Sequence, residues 1–310
     1  MTATMLTPQD FKKSVVAVPP LALTASLKVA PEPNALLARH IVDGGVNILL
    51  YGGNANLYHF GLDDYADALA AMADAANMAH VITSIGPDYG KMMDQAPLVE
   101  RSGLRNVMLL PTGFPSDSHG VGDGIRRIAA RLGFGVIVYL KREMYVRPEV
   151  LEKLIAEGAV RFVKYAVERC DPADDPYLDS VLSAVGRDLV ASGMGETPIV
   201  DHVGRRGVAT FTSGAVCIAP AAAMALLDGL RAGIEVDIEP FIDFERVRAS
   251  FGGIQVLHSA ISASGIADMG PMMPMVSVVK ERNMPEVLRV LEALRRIEDI
   301  ARKARQHQSA

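Results

Sequence analysis

Short apolar segments alternate with amphipathic stretches along the first two thirds of the chain. Eight of these segments are rich in Val and Ile and are apolar mostly on consecutive residues: Val15–Leu23, Val46–Tyr51, His80–Ile85, Val107–Leu110, Val136–Leu140, Val160–Tyr165, Leu189–Ala191 and Val208–Thr212. Consecutive apolar residues are typical of strands that are buried on both faces of a parallel sheet. The pattern therefore predicts a sheet of eight parallel strands.

Amphipathic helices are predicted between the strands, at Glu32–Asp43, Asp63–Met78, Asp123–Leu132, Pro148–Glu157 and Pro176–Gly186. Glycine stands at or next to the end of most of these segments, which is the usual punctuation of a helix end. After Pro220 the pattern predicts helices only: Pro220–Leu230, Ile242–Ser264 and Met284–Arg305.

This order of elements predicts an α/β fold, a (β/α)8 TIM barrel with a C-terminal helical extension. The predicted domains are the barrel at residues 1–232, which carries the active site, and a helical domain at 233–310. A doubly wound open sheet is the alternative. The chain has neither a GxGxxG nor a Walker motif, so the sequence gives no support for nucleotide binding.

The charge and the apolar content of the chain argue against several classes of protein. The 310 residues include 31 Lys and Arg against 36 Asp and Glu, for a net charge of −5. This balance argues against a basic nucleic-acid-binding protein and against a polybasic membrane-surface protein. The longest apolar run, residues 215–227, contains Pro220 and is shorter than the roughly 20 residues of a membrane-spanning helix.

The cysteine and histidine content indicates a cytoplasmic protein without a metal site. Cys170 and Cys217 are too few for a disulfide framework, which fits a reducing compartment. No His or Cys spacing matches a zinc site. We therefore expect no metal.

Catalytic groups of a TIM barrel lie at the carboxyl ends of its strands, and Lys164 is the unusual residue there. It lies in the apolar run Phe-Val-Lys-Tyr-Ala. Burial disfavours the charged amine, lowers its pKa and yields a neutral nucleophile for a carbonyl carbon. A lysine that extends to solvent, or a buried ion pair, would explain the same pattern.

Two other strand ends carry candidate groups. Tyr139 ends the fifth predicted strand, where its phenol could transfer protons or its ring could simply fill the barrel mouth. Gly52-Gly53-Asn54 follows the second strand and offers backbone N–H groups to an anion such as a carboxylate, although an ordinary turn has the same composition.

Taken together, these segments resemble the dihydrodipicolinate synthase / N-acetylneuraminate lyase family of class I aldolases. The resemblance covers nearly the whole chain and rests on five features: the N-terminal VPPLAL, the stretch GGNANLYH in place of a Gly-x-Thr-Gly-Glu motif, Tyr139, Lys164 within FVKYA, and GVATFTSGAVCIAP with the helical C-terminus. It implies a (β/α)8 barrel with added helices, usually assembled as a tetramer of tight dimers.

The resemblance also implies roles for individual residues. Lys164 corresponds to the Schiff-base lysine and Tyr139 to the active-site tyrosine. Gly53 and Asn54 stand where two hydroxyl residues hold the substrate carboxylate, and Ala209 stands where a backbone carbonyl of strand 8 faces the 2-oxo acid. A homo-oligomer, either a dimer or a tetramer, is expected, and no cofactor is required.

The chain departs from the family pattern in ways that bear on its activity. Both hydroxyls of the strand-2 motif are missing, and Thr112-Gly113-Phe114 replaces a tyrosine after strand 4. No arginine follows Tyr139 at the family spacing; Lys141 and Arg142 are the nearest cations for a distal acid group of the substrate. These departures predict a divergent member that is neither a true dihydrodipicolinate synthase nor a neuraminate lyase.

The predicted function is a lyase, either an aldolase or a dehydratase, that acts on pyruvate or a longer 2-oxo acid through a lysine Schiff base. One alternative is a non-catalytic 2-oxo acid binding or regulatory protein on the same fold. Another is a phosphate-binding barrel without a Schiff base, which would use the loops Gly193-Met194-Gly195 and Gly204-Arg205-Arg206-Gly207.

Overall fold

A closed barrel of eight parallel strands forms the centre of the computed structural model, which describes residues 4–309. The strands follow one another around the barrel in chain order, and β1 pairs with both β2 and β8. Their bounds are β1 Val16–Ala17, β2 Ile48–Leu50, β3 His80–Ile85, β4 Asn106–Leu109, β5 Val136–Leu140, β6 Val160–Tyr165, β7 Val190–Ser192 and β8 Thr210–Ser213. The predicted (β/α)8 barrel is thus confirmed, and the open-sheet alternative is wrong.

Helices surround this barrel and continue beyond it. Those up to the last barrel helix are α1 Pro8–Lys12, α2 Pro31–Asp43, α3 Leu62–Ala75, α4 Tyr89–Ser102, α5 Ser118–Leu132, α6 Pro148–Ala156, α7 Pro176–Val185 and α8 Pro220–Ala232. A short π-helical segment, Val200–Arg205, connects β7 to β8. The C-terminal helices are α9 Glu239–Phe251, α10 Ile254–Ser264 and α11 Met284–Ser309.

Three local differences from the sequence prediction have simple causes. Strand β1 has only two residues because Pro19 and Pro20 lack the N–H groups needed to extend a ladder. Helix α4 was not predicted, since Pro97 within it weakens the helical signal. The helix expected at Ile242–Ser264 is divided at Gly252 and Gly253, whose φ angles of 101° and 64° favour glycine.

Helix α1 covers the amino-terminal end of the barrel. The ring of Phe11 stacks on Phe162 near the start of β6, with ring centroids 3.6 Å apart. The N–H of Leu6 donates to Asn106 Oδ1 at 2.8 Å, at the first residue of β4. The carboxyl-terminal end of the barrel is therefore the end available for a ligand.

The C-terminal helices pack onto the barrel helices within one hydrophobic core. Glu298 of α11 is buried and accepts the backbone N–H of Ala222, in α8, at 3.0 Å. Phe241 and Phe244 of α9 belong to the same core as the barrel residues. Helix α8 ends at Ala232, where the domain boundary was predicted; that boundary stays a prediction because the core is continuous across it.

None of the helices between residues 4 and 309 is long and apolar enough to cross a bilayer.

Candidate active site

Lys164 and Tyr139 lie side by side in the barrel. They are Cα partners in the register of β5 and β6, so both side chains emerge from the same face of neighbouring strands. Lys164 Nζ lies 4.4 Å from the centroid of the Tyr139 ring, and only 8% of Lys164 is exposed. The structure thus brings together the two residues that the sequence predicted as catalytic.

Gly193, the residue after β7, provides the space for the Lys164 side chain. A Cβ at this position would lie 3.0 Å from Lys164 Cε and 2.8 Å from Ala166 Cβ. Only glycine permits this approach without displacement of a neighbour. The lysine is therefore held by close packing on one side and by the Tyr139 ring on the other.

The surroundings of Lys164 favour a neutral amine. Burial, together with the positive charges of Lys141 and Arg248, lowers the pKa of Lys164 from 10.5 to about 7. An ordinary exposed lysine is almost wholly protonated at neutral pH, whereas about half of this amine is then unprotonated. The amine can therefore act as a nucleophile near neutral pH.

Tyr139 has the opposite character. Burial raises its pKa, and the neighbouring Tyr58 and Glu168 raise it further. The phenol therefore stays protonated at neutral pH and is suited to donate a proton rather than to accept one. Burial and the neighbouring Tyr145 also raise the pKa of Tyr58, to about 12.

The turn after β2 contributes Gly53 and Asn54 at the carboxyl end of the barrel. Asn54 Nδ2 donates to the carbonyl of Val18, after β1, at 2.9 Å. Its Oδ1 accepts from Arg248 Nη2 at 3.5 Å. A Cβ on Gly53 would meet only the Tyr58 ring, at 3.8 Å, so Gly53 borders the space beside these tyrosines.

Ala209 is not brought to the site, although the sequence predicted that it faces the substrate. It directly precedes Thr210, the first residue of β8, whereas the carboxyl end of that strand is Ser213. Its carbonyl accepts a hydrogen bond from the guanidinium of Arg231, and its N–H donates to Val190 O at 3.0 Å. Ala209 therefore lies at the amino-terminal end of the strand, and its proposed role is wrong.

Arg248 is a site residue that sequence reasoning missed, and it comes from α9 rather than from the barrel. Its guanidinium lies at the carboxyl end of β8, where a Cβ on Gly214 would be 2.8 Å from Nη1. Nη1 donates to Glu245 Oε1 at 2.6 Å, and the side chains of Arg248 and Glu245 are 13% and 17% exposed. The contact with Asn54 extends this pair across to the β2 turn.

Glu196 is a second missed residue. It follows β7 by four positions and is fully buried. Its Oε1 accepts a hydrogen bond from Ser213 Oγ, while Oε2 has no partner among the described residues. Burial and the charge of Glu245 raise the pKa of Glu196 well above its ordinary value. A carboxyl group in the loop that follows a predicted barrel strand was the signal that could have identified it.

Arg142, one of the two cations proposed near strand 5, has other partners. Arg142 Nη1 donates to Thr112 O at 2.7 Å, and Nη2 donates to Ser116 Oγ at 2.6 Å. Its guanidinium also lies 4.3 Å from the centroid of the Tyr145 ring. Arg142 thus holds the loop after β4, and Arg248 is the arginine whose charge acts on the Lys164 amine.

A cavity of about 600 Å³ opens at this end of the barrel, lined by residues of the loops after β6 and β7 and of α9, including Glu168, Met194, Glu245 and Arg248. Its volume suits a small organic molecule. Residues 4–309 contain no group of three or more His, Cys, Asp and Glu side chains arranged to hold a metal ion.

The fold is shared with solved structures over nearly the whole chain. A dihydrodipicolinate synthase from Bacillus clausii has a TM-score of 0.79 and 20% sequence identity, with 92% of this chain and 98% of that chain covered. The wild-type sialic acid aldolase of Ruminococcus gnavus has a TM-score of 0.77 and 13% identity, with 93% and 99% covered. PhdJ, solved with a bound substrate intermediate, has a TM-score of 0.78 and 18% identity, with 96% and 99% covered.

Comparisons of sequence, in contrast, find no relative: no protein-family model matches the chain, and no curated protein matches it. The chain thus shares its backbone fold with these three structures, while its sequence is at most 20% identical to theirs. This agreement confirms the resemblance stated from the sequence at the level of fold: the chain has the fold of dihydrodipicolinate synthases and of a sialic acid aldolase.

Proposed function

We propose that the protein is a class I lyase that acts on pyruvate or a longer 2-oxo acid through a Schiff base on Lys164. One observation carries the proposal. A buried lysine at the carboxyl end of the barrel has a pKa near 7 and lies against the ring of a tyrosine that stays protonated. The fold shared with aldolases and synthases supports the same chemistry.

In the first half of the reaction, the neutral amine of Lys164 adds to the C2 carbonyl carbon of the substrate. The C2 oxygen receives one proton from the attacking nitrogen and a second from an acid and then leaves as water, while the nitrogen keeps its other proton and becomes a protonated imine. Tyr139 is the group placed to donate a proton to the leaving oxygen, because its raised pKa keeps the phenol protonated.

In the second half, the protonated imine withdraws electrons from C3. In an aldolase, the C4 hydroxyl gives up its proton and C4 leaves as a carbonyl compound, while the electron pair of the broken C3–C4 bond forms an enamine on the lysine adduct. The enamine then takes up a proton at C3 and becomes the imine again. A dehydratase instead removes a proton from C3 to form the enamine, which then expels the C4 hydroxyl group, protonated by an acid, as water and leaves an unsaturated imine. Hydrolysis of the imine releases the product in both cases, and no metal or organic cofactor is needed because the imine is the electron sink.

Substrate binding is assigned to the turn after β2. Gly53 and Asn54 follow β2 at the carboxyl end of the barrel, and backbone N–H groups of such a turn suit a carboxylate. The assignment of a distal acid group to Arg142 is not retained, since that side chain is held by Thr112 and Ser116. The homo-oligomer expected from the resemblance stays a prediction, and sedimentation velocity measures it.

A non-catalytic 2-oxo acid binding protein is the second candidate. The observation that favours it is the replacement of hydroxyl residues by Gly53 and Asn54, since the Asn54 amide is already hydrogen-bonded to Val18 and Arg248. Such a protein would bind the 2-oxo acid without releasing a C3 proton.

Exchange of the methyl protons of pyruvate for deuterium separates these two functions. Enamine formation at Lys164 requires loss of a C3 proton, so a lyase catalyses this exchange in D2O, as NMR can follow. We expect exchange with the wild type and none with Lys164→Ala that is folded by circular dichroism. Thermal stabilisation by pyruvate without exchange would instead support the binding protein.

A further inference from the structure

The guanidinium of Arg248 is held in place at the carboxyl end of the barrel by packing and by hydrogen bonds. It lies against Gly214, where any larger side chain would collide with Nη1. Nε donates to the carbonyl of Gly253 at 3.3 Å, which ties the group to the start of α10. Nη2 reaches Asn54, the residue of the β2 turn, at 3.5 Å. The side chain therefore connects the C-terminal helices to the two strand ends beside the substrate position.

The hydrogen bonds of this guanidinium leave it able to hold an anion. An arginine carries five N–H donors in a planar fork. Among the described residues, Nε donates to the Gly253 carbonyl, Nη1 donates to Glu245 and Nη2 donates to Asn54. The contact with Asn54 is the longest of the three and therefore the weakest. A carboxylate in the cavity that Arg248 lines could replace this weak contact with a charge-assisted one.

The positive charges that act on Lys164 favour the binding of an anionic ligand. Lys141 and Arg248 both act on its amine as positive charges, and Glu245 is committed to Arg248. The Glu196 carboxyl, on which Glu245 and Arg248 act, favours its neutral form because of burial and of the charge of Glu245. Formation of a protonated imine on Lys164 adds positive charge beside Arg248, so a ligand that brings a negative charge between the two is favoured.

We propose that Arg248 binds the carboxylate of the 2-oxo acid and makes the site selective for acids over uncharged carbonyl compounds. The inference rests on the proposed Schiff-base function and adds a specificity-determining residue to it. Arg248 takes over the role of the two missing hydroxyls of the β2 turn, and Glu245 and the carbonyl of Gly253 position its guanidinium. A residue of the helical extension thus completes a site on the barrel.

Reductive trapping of two matched carbonyl compounds tests this assignment. Pyruvate and pyruvamide have the same size, but only pyruvate carries a carboxylate. Intact protein is incubated with each compound over a range of concentrations in the presence of cyanoborohydride, and the rate of adduct formation on Lys164 gives a half-saturation concentration. The variants are Arg248→Met and Arg248→Lys, with Arg289→Met, an exposed arginine of α11, as the matched control.

The readout is the ratio of the two half-saturation concentrations. Loss of a charge-assisted hydrogen bond should raise the ratio of pyruvate to pyruvamide by about 10- to 100-fold in Arg248→Met. Arg248→Lys keeps the charge without the fork and should give an intermediate ratio, and it keeps the test valid if the methionine variant does not fold. Arg289→Met should stay within about threefold of the wild type.

Each other outcome has a distinct meaning. An unchanged ratio in a folded Arg248 variant would overturn the inference while leaving the Schiff-base function intact. The ratio also stays unchanged when both half-saturation concentrations change by the same factor, and Arg248 would then act only through the Lys164 amine or the fold. No trapping of pyruvate, of pyruvamide or of longer 2-oxo acids by the folded wild type would overturn the proposed function itself.

Discussion

Replacement of Lys164 by methionine is expected to stabilise the protein, and by an amount that depends on pH. The substitution keeps an unbranched side chain of similar length in the packed space beside Gly193. It removes an amine whose charged form is disfavoured by burial and by the charges of Lys141 and Arg248. Active sites commonly retain such destabilising groups because the chemistry needs them.

The size and sign of the effect follow from the two pKa values. In the unfolded chain the amine has its ordinary pKa of 10.5, and in the folded protein it has a pKa of about 7. Between these values the unfolded state binds more protons, so the free energy of unfolding of the wild type rises with pH. The difference between the two pKa values corresponds to a loss of at most about 5 kcal/mol in the free energy of unfolding of the wild type. The wild type regains about 3 kcal/mol of this loss between pH 6 and pH 9.

Urea unfolding of the wild type and Lys164→Met at pH 6 and pH 9 measures this effect. The variant should be the more stable at pH 6, and its advantage should shrink by about 3 kcal/mol at pH 9. Comparison of the two proteins at each pH removes the contribution of other titrating groups. Lys153→Met, at an exposed position of α6, serves as the control. An advantage of equal size at both pH values would refute the reasoning.

Three further substitutions test single contacts of the site. Tyr139→Phe keeps the ring beside Lys164 but loses the phenol, so pyruvate proton exchange should fall by about 10²- to 10⁴-fold while the melting temperature changes little; an unchanged exchange rate would remove the phenol from the mechanism. Gly193→Ala should abolish exchange and destabilise the fold by about 1–3 kcal/mol in urea, because its Cβ would collide with Ala166 and Lys164; wild-type exchange in that variant would contradict the close packing. Glu196→Gln should stabilise the protein more at pH 9 than at pH 4, because the raised pKa of Glu196 means that the wild type loses stability as the pH rises above the ordinary pKa of a glutamate. Thermal unfolding of both proteins at the two pH values measures this difference, and a larger stabilisation at pH 4 would contradict it.

The barrel was predictable because its signal is local. Strands that are buried on both faces are continuous apolar runs, and β3, β5 and β6 have the bounds that the sequence predicted. Lys164 and Tyr139 were identified for the same reason, since each stands near the carboxyl end of a strand whose limits were clear.

The error at Ala209 came from a strand whose limits were not clear. The segment from Val208 to Ser213 mixes apolar residues with three hydroxyl residues and carries no turn residue until Gly214. The prediction began the strand at Val208, whereas pairing begins at Thr210. The displacement placed Ala209 within the strand, although the structure leaves it just before the strand, at the end opposite the site.

Arg248 was not predictable, because its role depends on tertiary packing. Helix α9 lies outside the barrel pattern, and the sequence does not state which of its charged residues turns toward the barrel mouth. Arg246 and Arg248 differ in their surroundings only after the helix is docked: the side chain of Arg246 is 62% exposed and that of Arg248 is 13% exposed.

Borohydride reduction in the presence of pyruvate, followed by intact mass measurement and peptide mapping, tests the central claim most directly. We predict one pyruvate-derived adduct per chain, located on Lys164 and absent from Lys164→Ala. A folded wild-type protein that forms no adduct with pyruvate or with longer 2-oxo acids, or that forms it on another lysine, would contradict the Schiff-base assignment.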